Sequence, residues 1–152
     1  MADQELDGSR SAILLVNDEP AILTALARTF GRERYPIFLS QGGEEALTFL
    51  AASSVKVVVA DQRMPGMSGC ELLAEIGRRW RLIGRVIRTG HPGREVMIRG
   101  LEAEIDFLIY KPCDDEALRR AVRRLIAEVD CSCASRRDSG SDPWRDAGGE
   151  GG

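Results

Sequence analysis

Apolar and polar positions alternate in two distinct ways along the chain. Short continuous apolar runs, "AILLV" (12–16), "PIFLS" (36–40), "VKVVVA" (55–60), "GRVIRT" (84–89) and "IDFLIY" (105–110), predict five strands. Between them lie stretches with helical spacing. In "PAILTALARTF" (20–30), Ile22, Leu26 and Phe30 share one face, with Leu23 and Ala27 beside them. "EEALTFLAA" (44–52) predicts a second helix. "SGCELLAEIGRRW" (68–80) opens with Ser68 and Glu71 at capping-box spacing and lines up Leu72, Leu73, Ile76 and Trp80. "REVMIRGLEA" (94–103) is a weaker helix, interrupted by Gly100. "DDEALRRAVRRLIAEV" (114–129) is the clearest, with Leu118, Val122, Leu125 and Val129 on one side and Asp114 and Asp115 at its N-terminal dipole.

Five strand–helix units in strict alternation imply an α/β fold, a parallel sheet with helices on both faces. Strands that read as unbroken apolar runs agree with a sheet buried on both sides. After about residue 130 the chain turns to "DCSCASRRDSGSDPWRDAGGEGG", rich in Gly, Ser and charge and without a period. The expected organisation is one domain over 11–129, with disordered tails at 1–10 and 130–152.

Composition narrows the function. At 152 residues, 43% hydrophobic and 30% charged, the chain suits one globular domain with a proper core. A net charge of -3 gives no basic field for nucleic acid, so no direct nucleic-acid contact is expected. No apolar run is long enough to span a membrane. The opening "MADQELDGSR" lacks the basic-then-apolar pattern of a secretory leader, so a cytoplasmic location is the expectation. The four cysteines, Cys70, Cys113, Cys131 and Cys133, are too few and too scattered for a zinc site with His91 as the sole histidine; they read as incidental thiols.

In an open parallel sheet, sites form outside the carboxyl ends of the strands. Here the first strand ends in Asn17-Asp18-Glu19, the third in Asp61, the fourth in Thr89-Gly90-His91 and the fifth in Lys111-Pro112. Carboxylates, a hydroxyl and one of only two lysines thus converge on one rim. Asp18 and Asp61 suit a hard cation such as Mg²⁺, which takes one or two carboxylates plus waters and phosphate oxygens. Asp61 is then placed to attack phosphorus, Lys111 to balance the phosphoryl oxygens and Thr89 to donate a hydrogen bond. The bland alternatives are a helix cap for Asp18 and Glu19, a turn for Thr89 and a surface position for Lys111.

The pieces "ILLVNDEP", "VVVADQRMPGMSG", "VIRTGH" and "IYKPCDDEAL" resemble the receiver domain of two-component response regulators over about 11–129. "DQRMPGMSG" with "KPCDD" looks most like receivers of hydrogenase-type and cyclic-di-GMP phosphodiesterase-type regulators. The resemblance implies a flavodoxin-like (βα)5 fold with strand order 2-1-3-4-5. It matches Asp61 to the phosphoacceptor, Asp18 to the direct metal ligand and Arg63 to the position whose backbone carbonyl binds the metal. Lys111 matches the phosphate-binding lysine and Thr89 the switch hydroxyl. The implied cofactor is Mg²⁺ and the implied donor a sensor histidine kinase. The implied output is a downstream protein target or a homodimer on the face of helix 4, strand 5 and helix 5.

Two positions depart from that pattern. Asn17 stands where the family has an acid that holds a metal-bound water. Its amide oxygen can still accept, but one charge lost at about 5 Å weakens Mg²⁺ by roughly 1–3 kcal/mol, about ten- to a hundredfold. Leu108 holds the place of an aromatic switch residue, with Phe107 and Tyr110 near but read as out of register. Arg63 and His91 sit two residues beyond site residues; the resemblance implies that side chains there overhang the site and tune the lifetime of a phosphoryl group, and the bland alternative is a solvated loop. The arginines 119, 120, 123 and 124 read as a solvated face or a partner surface.

The leading expectation is a stand-alone phosphoacceptor switch rather than an enzyme. A phosphorylation-independent interaction module is the alternative that Asn17 and Leu108 favour. An aspartate-dependent phosphohydrolase ranks lower, because Arg63 occupies the position of its second acid. DNA binding has no support, since no helix-turn-helix segment follows residue 129.

Overall fold

The computed structural model describes residues 12–31, 33, 35–90, 94–111 and 115–135. Five strands, β1 (Ile13–Val16), β2 (Ile37–Ser40), β3 (Val57–Asp61), β4 (Gly84–Thr89) and β5 (Phe107–Tyr110), alternate with five helices. These are α1 (Pro20–Thr29), α2 (Gly43–Ala51), α3 (Gly69–Arg79), α4 (Arg94–Glu102) and α5 (Asp115–Ser135). The sheet is wholly parallel in the order β2-β1-β3-β4-β5. This is the flavodoxin-like arrangement expected from the sequence.

Strand geometry sends successive side chains to opposite faces, and the core splits accordingly. Leu14, Val16, Val58, Ala60 and Ile87 pack with Ala46 and Leu50 of α2 and with Leu72, Leu73 and Ile76 of α3. Ile13, Leu15, Val57, Val59 and Val86 pack with Leu23 and Leu26 of α1, Phe30, and Leu118, Val122 and Leu125 of α5. Burial on both faces is why these strands read as unbroken apolar runs. Each buried aliphatic side chain contributes about 1.5–3 kcal/mol of transfer free energy.

The helices start as their residues dictate. Ser68 Oγ accepts the Glu71 N–H at 3.2 Å and Glu71 Oε1 accepts the Ser68 N–H at 3.0 Å, so the expected capping box is formed. α1 begins instead with Pro20 at its first turn and no side-chain cap from Glu19.

One boundary differs from expectation. α5 continues through Ser135, past the Val129 limit and into the stretch read as tail. No Gly or Pro occurs between 115 and 135, so nothing in the backbone chemistry stops the helix there. Residues 1–11 and 136–152 lie outside the described residues, as do His91, Pro112, Cys113 and Asp114. Among the described residues no helix is long and apolar enough to cross a membrane.

The arginines of α5 are partly accounted for within the chain. Arg119 Nη1 donates to the Thr29 carbonyl at the end of α1 at 3.1 Å and pairs with Glu116 at 2.7 Å. Arg119 and Arg123 also approach Glu33, at 3.9 and 3.5 Å. Arg119 and Arg123 on this edge therefore tie α5 to the end of α1 and to Glu33.

Candidate functional site

Asp61 ends β3 and is only 5% exposed. Lys111, just past β5, places Nζ 2.7 Å from Asp61 Oδ1, across a sequence separation of fifty residues. The sheet order makes this possible, because β4 alone separates the two strands. Two of the expected site residues are thus in direct contact.

The loop after Asp61 is held by its own backbone chemistry. Gly66 has φ +82°, the left-handed region that a side chain resists. A Cβ on Gly69 would lie 2.5 Å from the Asp61 carbonyl oxygen and 2.6 Å from Ile87 Cδ1. Gln62 donates its N–H to the Arg88 carbonyl at 2.9 Å, and its Oε1 accepts the Cys70 N–H at 2.9 Å. The glycines of "DQRMPGMSG" therefore serve to fold the loop tightly against the acceptor strand. Cys70 is buried beneath it, and burial pushes its thiol pKa up, as an inert thiol requires.

On the neighbouring strand, Val16 pairs with Ala60, so Asn17 stands level with Asp61 and Asp18 one step above. Asn17 is 1% exposed, and its Oδ1 accepts the Glu19 N–H at 2.8 Å. That bond fixes which end of the amide is oxygen and takes one of its two lone pairs. The unused capacity is on Nδ2, which is buried without a hydrogen-bond partner. Asp18 is half-buried at the rim and Arg63 is exposed beyond Asp61. Thr89 ends β4, buried, on the α3–α4 side of the sheet. His91 falls outside the described residues.

Sequence reasoning missed one member. Arg88 is the direct β4 neighbour of Asp61 and points to the same side of the sheet. Its side chain is 11% exposed, and Nη1 lies 3.6 Å from Asp61 Oδ1. Nε and Nη1 are buried without hydrogen-bond partners. The available signal was a charged residue inside the apolar run "GRVIRT", directly before Thr89.

The reading of Tyr110 also changes. Phe107 packs in the α1–α5 layer and Leu108 in the opposite layer, as an odd step requires. Tyr110 is an even step from Leu108, so it shares that face, and it pairs in register with Thr89. It is not out of register with the hydroxyl; it is 47% exposed beside it.

The rim suits a small hard cation in donor type. Asp18 and Asp61 put at this rim the one or two carboxylates that Mg²⁺ takes alongside waters. Among the described residues no three His, Cys, Asp or Glu side chains gather, so a cage made wholly of protein ligands is not built here.

Comparison with known proteins gives a consistent result. The family model described as response regulator receiver domain matches residues 13–123. The chain is 34% identical over 122 residues to the hydrogenase transcriptional regulatory protein HoxA of Cupriavidus necator, covering 80% of this chain and 25% of that protein. It is 32% identical over 117 residues to the transcriptional regulatory protein FixJ of Rhizobium meliloti, covering 74% of this chain and 57% of that one. The chain thus spans about a quarter to just over half the length of these relatives. Among solved structures, the signal receiver domain of an HD domain-containing protein from Pseudomonas fluorescens superposes with a TM-score of 0.78 at 29% identity. That match covers 80% of this chain and 98% of that one. A CheY-like receiver from Methanospirillum hungatei, at 24% identity and a TM-score of 0.77, supports the fold.

Proposed function

Because the chain belongs to the response regulator receiver domain family, we propose that it accepts a phosphoryl group on Asp61 from a sensor histidine kinase and thereby switches a protein-interaction face. The observation that carries this reading is the 2.7 Å contact of Lys111 Nζ with the 5% exposed Asp61 at the carboxyl rim of the sheet. An Asp61 carboxylate oxygen attacks phosphorus, and the bond from phosphorus to the donor breaks with its electron pair leaving on the donor. Lys111 balances the phosphoryl oxygens as a point charge. Thr89 supplies the switch hydroxyl. Asp18, Asp61, the Arg63 carbonyl and a water on Asn17 would hold Mg²⁺, which when bound would supply positive charge beside the transferred group. Arg63 and His91 are positioned along the chain to tune how long the phosphoryl group survives.

The output face is supported by exposed apolar side chains. Met97, Ile98 and Leu101 of α4 and Tyr110 of β5 are all exposed. A downstream protein or a second copy of the chain covers such a surface, without nucleic acid or membrane, in a cytoplasmic two-component pathway. Phosphorylation shifts a pre-existing equilibrium of this face.

A titration with beryllofluoride in the presence of Mg²⁺, followed by amide NMR, tests the reading. A saturable change lost in Asp61→Ala supports the phosphoacceptor. No change in the parent protein turns the assignment to the phosphorylation-independent interaction module, which Asn17 and Leu108 favour.

A further inference from the structure

The three side-chain atoms that are buried without hydrogen-bond partners among the described residues belong to only two residues. They are Asn17 Nδ2, Arg88 Nε and Arg88 Nη1. Both residues flank Asp61. Val16 pairs with Ala60, and Asp61 pairs with Arg88, so Asn17, Asp61 and Arg88 form one row across β1, β3 and β4. By strand alternation all three face the α1–α5 side of the sheet. The row therefore holds one carboxylate with unmatched N–H donors on either side.

We propose that this row is a built-in oxyanion cradle, in which Arg88 with Asn17 binds a phosphoryl-type anion at Asp61 without a divalent metal. The inference rests on the phosphoacceptor reading and adds to it a residue and a property.

The chemistry follows from what Arg88 lacks. Its Nη1 is 3.6 Å from Asp61 Oδ1, inside ion-pair range but beyond a hydrogen bond. Lys111 already makes the close contact to that same oxygen at 2.7 Å. A buried donor left unmatched is costly, and a guanidinium keeps its charge at all accessible pH. An oxyanion arriving at Asp61 meets both needs, since Nη1, 3.6 Å from Asp61 Oδ1, can donate to one of its oxygens while the fixed positive charge attracts the others. Asn17 Nδ2 adds a neutral donor from the other side. With Asp61 and Asp18 negative and Lys111 and Arg88 positive, the acceptor is charge-balanced before any metal enters, and Asn17 adds no further negative charge to repel an anion. Mg²⁺ then strengthens anion binding rather than enabling it.

The test is beryllofluoride titration of the full chain, read by amide NMR, once with Mg²⁺ and once with Mg²⁺ omitted and trace metal removed by EDTA. Saturable binding in EDTA within about tenfold of the Mg²⁺ value is expected, a difference of about 1.4 kcal/mol. Arg88→Gln is expected to lose at least about tenfold in EDTA while keeping most of its Mg²⁺-supported affinity. Arg88→Lys keeps the charge but loses the planar, donor-rich guanidinium and should fall between the two. Asn17→Asp tests the cradle without touching Arg88: metal-free binding should weaken and the Mg²⁺ dependence should steepen. A response confined to Mg²⁺, or Arg88→Gln and Asn17→Asp both leaving the ratio of the two affinities unchanged, overturns the cradle and leaves the phosphoacceptor standing. Silence under both conditions overturns the phosphoacceptor reading and the cradle with it.

Discussion

Replacing Gly69 by Ala is the most direct probe of how the loop after Asp61 positions the acceptor. The added Cβ would lie 2.5 Å from the Asp61 carbonyl oxygen and 2.6 Å from Ile87 Cδ1, whereas ordinary contact begins at 3.4 Å. The shortfalls are about 0.9 and 0.8 Å. Neither neighbour can swing away: one atom is backbone at the end of β3, and Ile87 is fully buried in β4. Overpacking of this kind costs about 1–3 kcal/mol. Against it stands the helix propensity of Ala over Gly, at most about 1 kcal/mol. The clash wins, with a net loss of about 1–2 kcal/mol. At a urea dependence of about 1–3 kcal/mol per molar, the unfolding midpoint should fall by roughly 0.3–2 M at an unchanged slope. The strain should also move Asp61. A misplacement approaching 1 Å costs up to about a hundredfold at a reacting centre, so beryllofluoride affinity should fall by about tenfold or more. A variant that is more stable than the parent and binds equally well would refute the claim that Gly69 is there to let α3 approach the acceptor strand.

Asp106 gives a pH-dependent prediction. Its carboxyl is pushed up by burial, although Oδ2 accepts the Arg85 N–H at 2.8 Å. The folded state then holds the proton more readily than the unfolded state, so stability falls as pH rises through the window between the ordinary and the raised value. Asp106→Asn keeps an acceptor for the Arg85 N–H and should melt higher than the parent at about pH 7, with the gain vanishing below the ordinary carboxylate range near about pH 4. Equal melting temperatures at both pH values would refute this. Arg119→Ala removes the donor to the Thr29 carbonyl and the Glu116 partner, and should lower the urea-derived stability by about 1 kcal/mol; an unchanged midpoint would show that the α1–α5 tie is idle. Tyr110→Ala should leave beryllofluoride affinity intact while reducing the amide shifts that spread into α4, because Tyr110 stands in register beside Thr89; a full α4 response would exclude it from the switch.

The layered fold was legible because β1, β3 and β4 bury both faces, and such strands are written as apolar runs that need no partner information. The contact between Asp61 and Lys111 was legible from the strand ends alone. What escaped reading depends on facing and register. In "GRVIRT" the two arginines are three apart, so they face opposite sides of the sheet. Arg85 turns to the α3–α4 side, donating to the Ile83 and Ala103 carbonyls at 3.3 Å beside Gly77, where a Cβ would collide with it. Arg88 turns to the other side and meets Asp61. No local pattern distinguishes the two, because the difference lies in which strand is next door. The end of α5 escaped for another reason. Composition after residue 130 is polar, yet polarity does not break a helix that contains no Gly or Pro.

Arg88 also answers why Asn17 is tolerated where a third acid would strengthen a cation site. At 3.6 Å and an effective dielectric near 20, one unit charge on Arg88 interacts with one on Asp61 by about 4–5 kcal/mol before desolvation. A phosphoryl oxygen held at a similar distance would feel an attraction of the same order. At the same dielectric and about 5 Å, an acid at position 17 would attract a doubly charged Mg²⁺ by about 7 kcal/mol before desolvation, a quantity of the same order. It would also stand level with Asp61, within reach of the field that Arg88 supplies, and would cancel part of it. The amide avoids that cancellation. It retains the turn through the Glu19 N–H and presents a donor instead of a charge. On this accounting the amide of Asn17 and the guanidinium of Arg88 act in the same direction, favouring an incoming anion over an incoming cation.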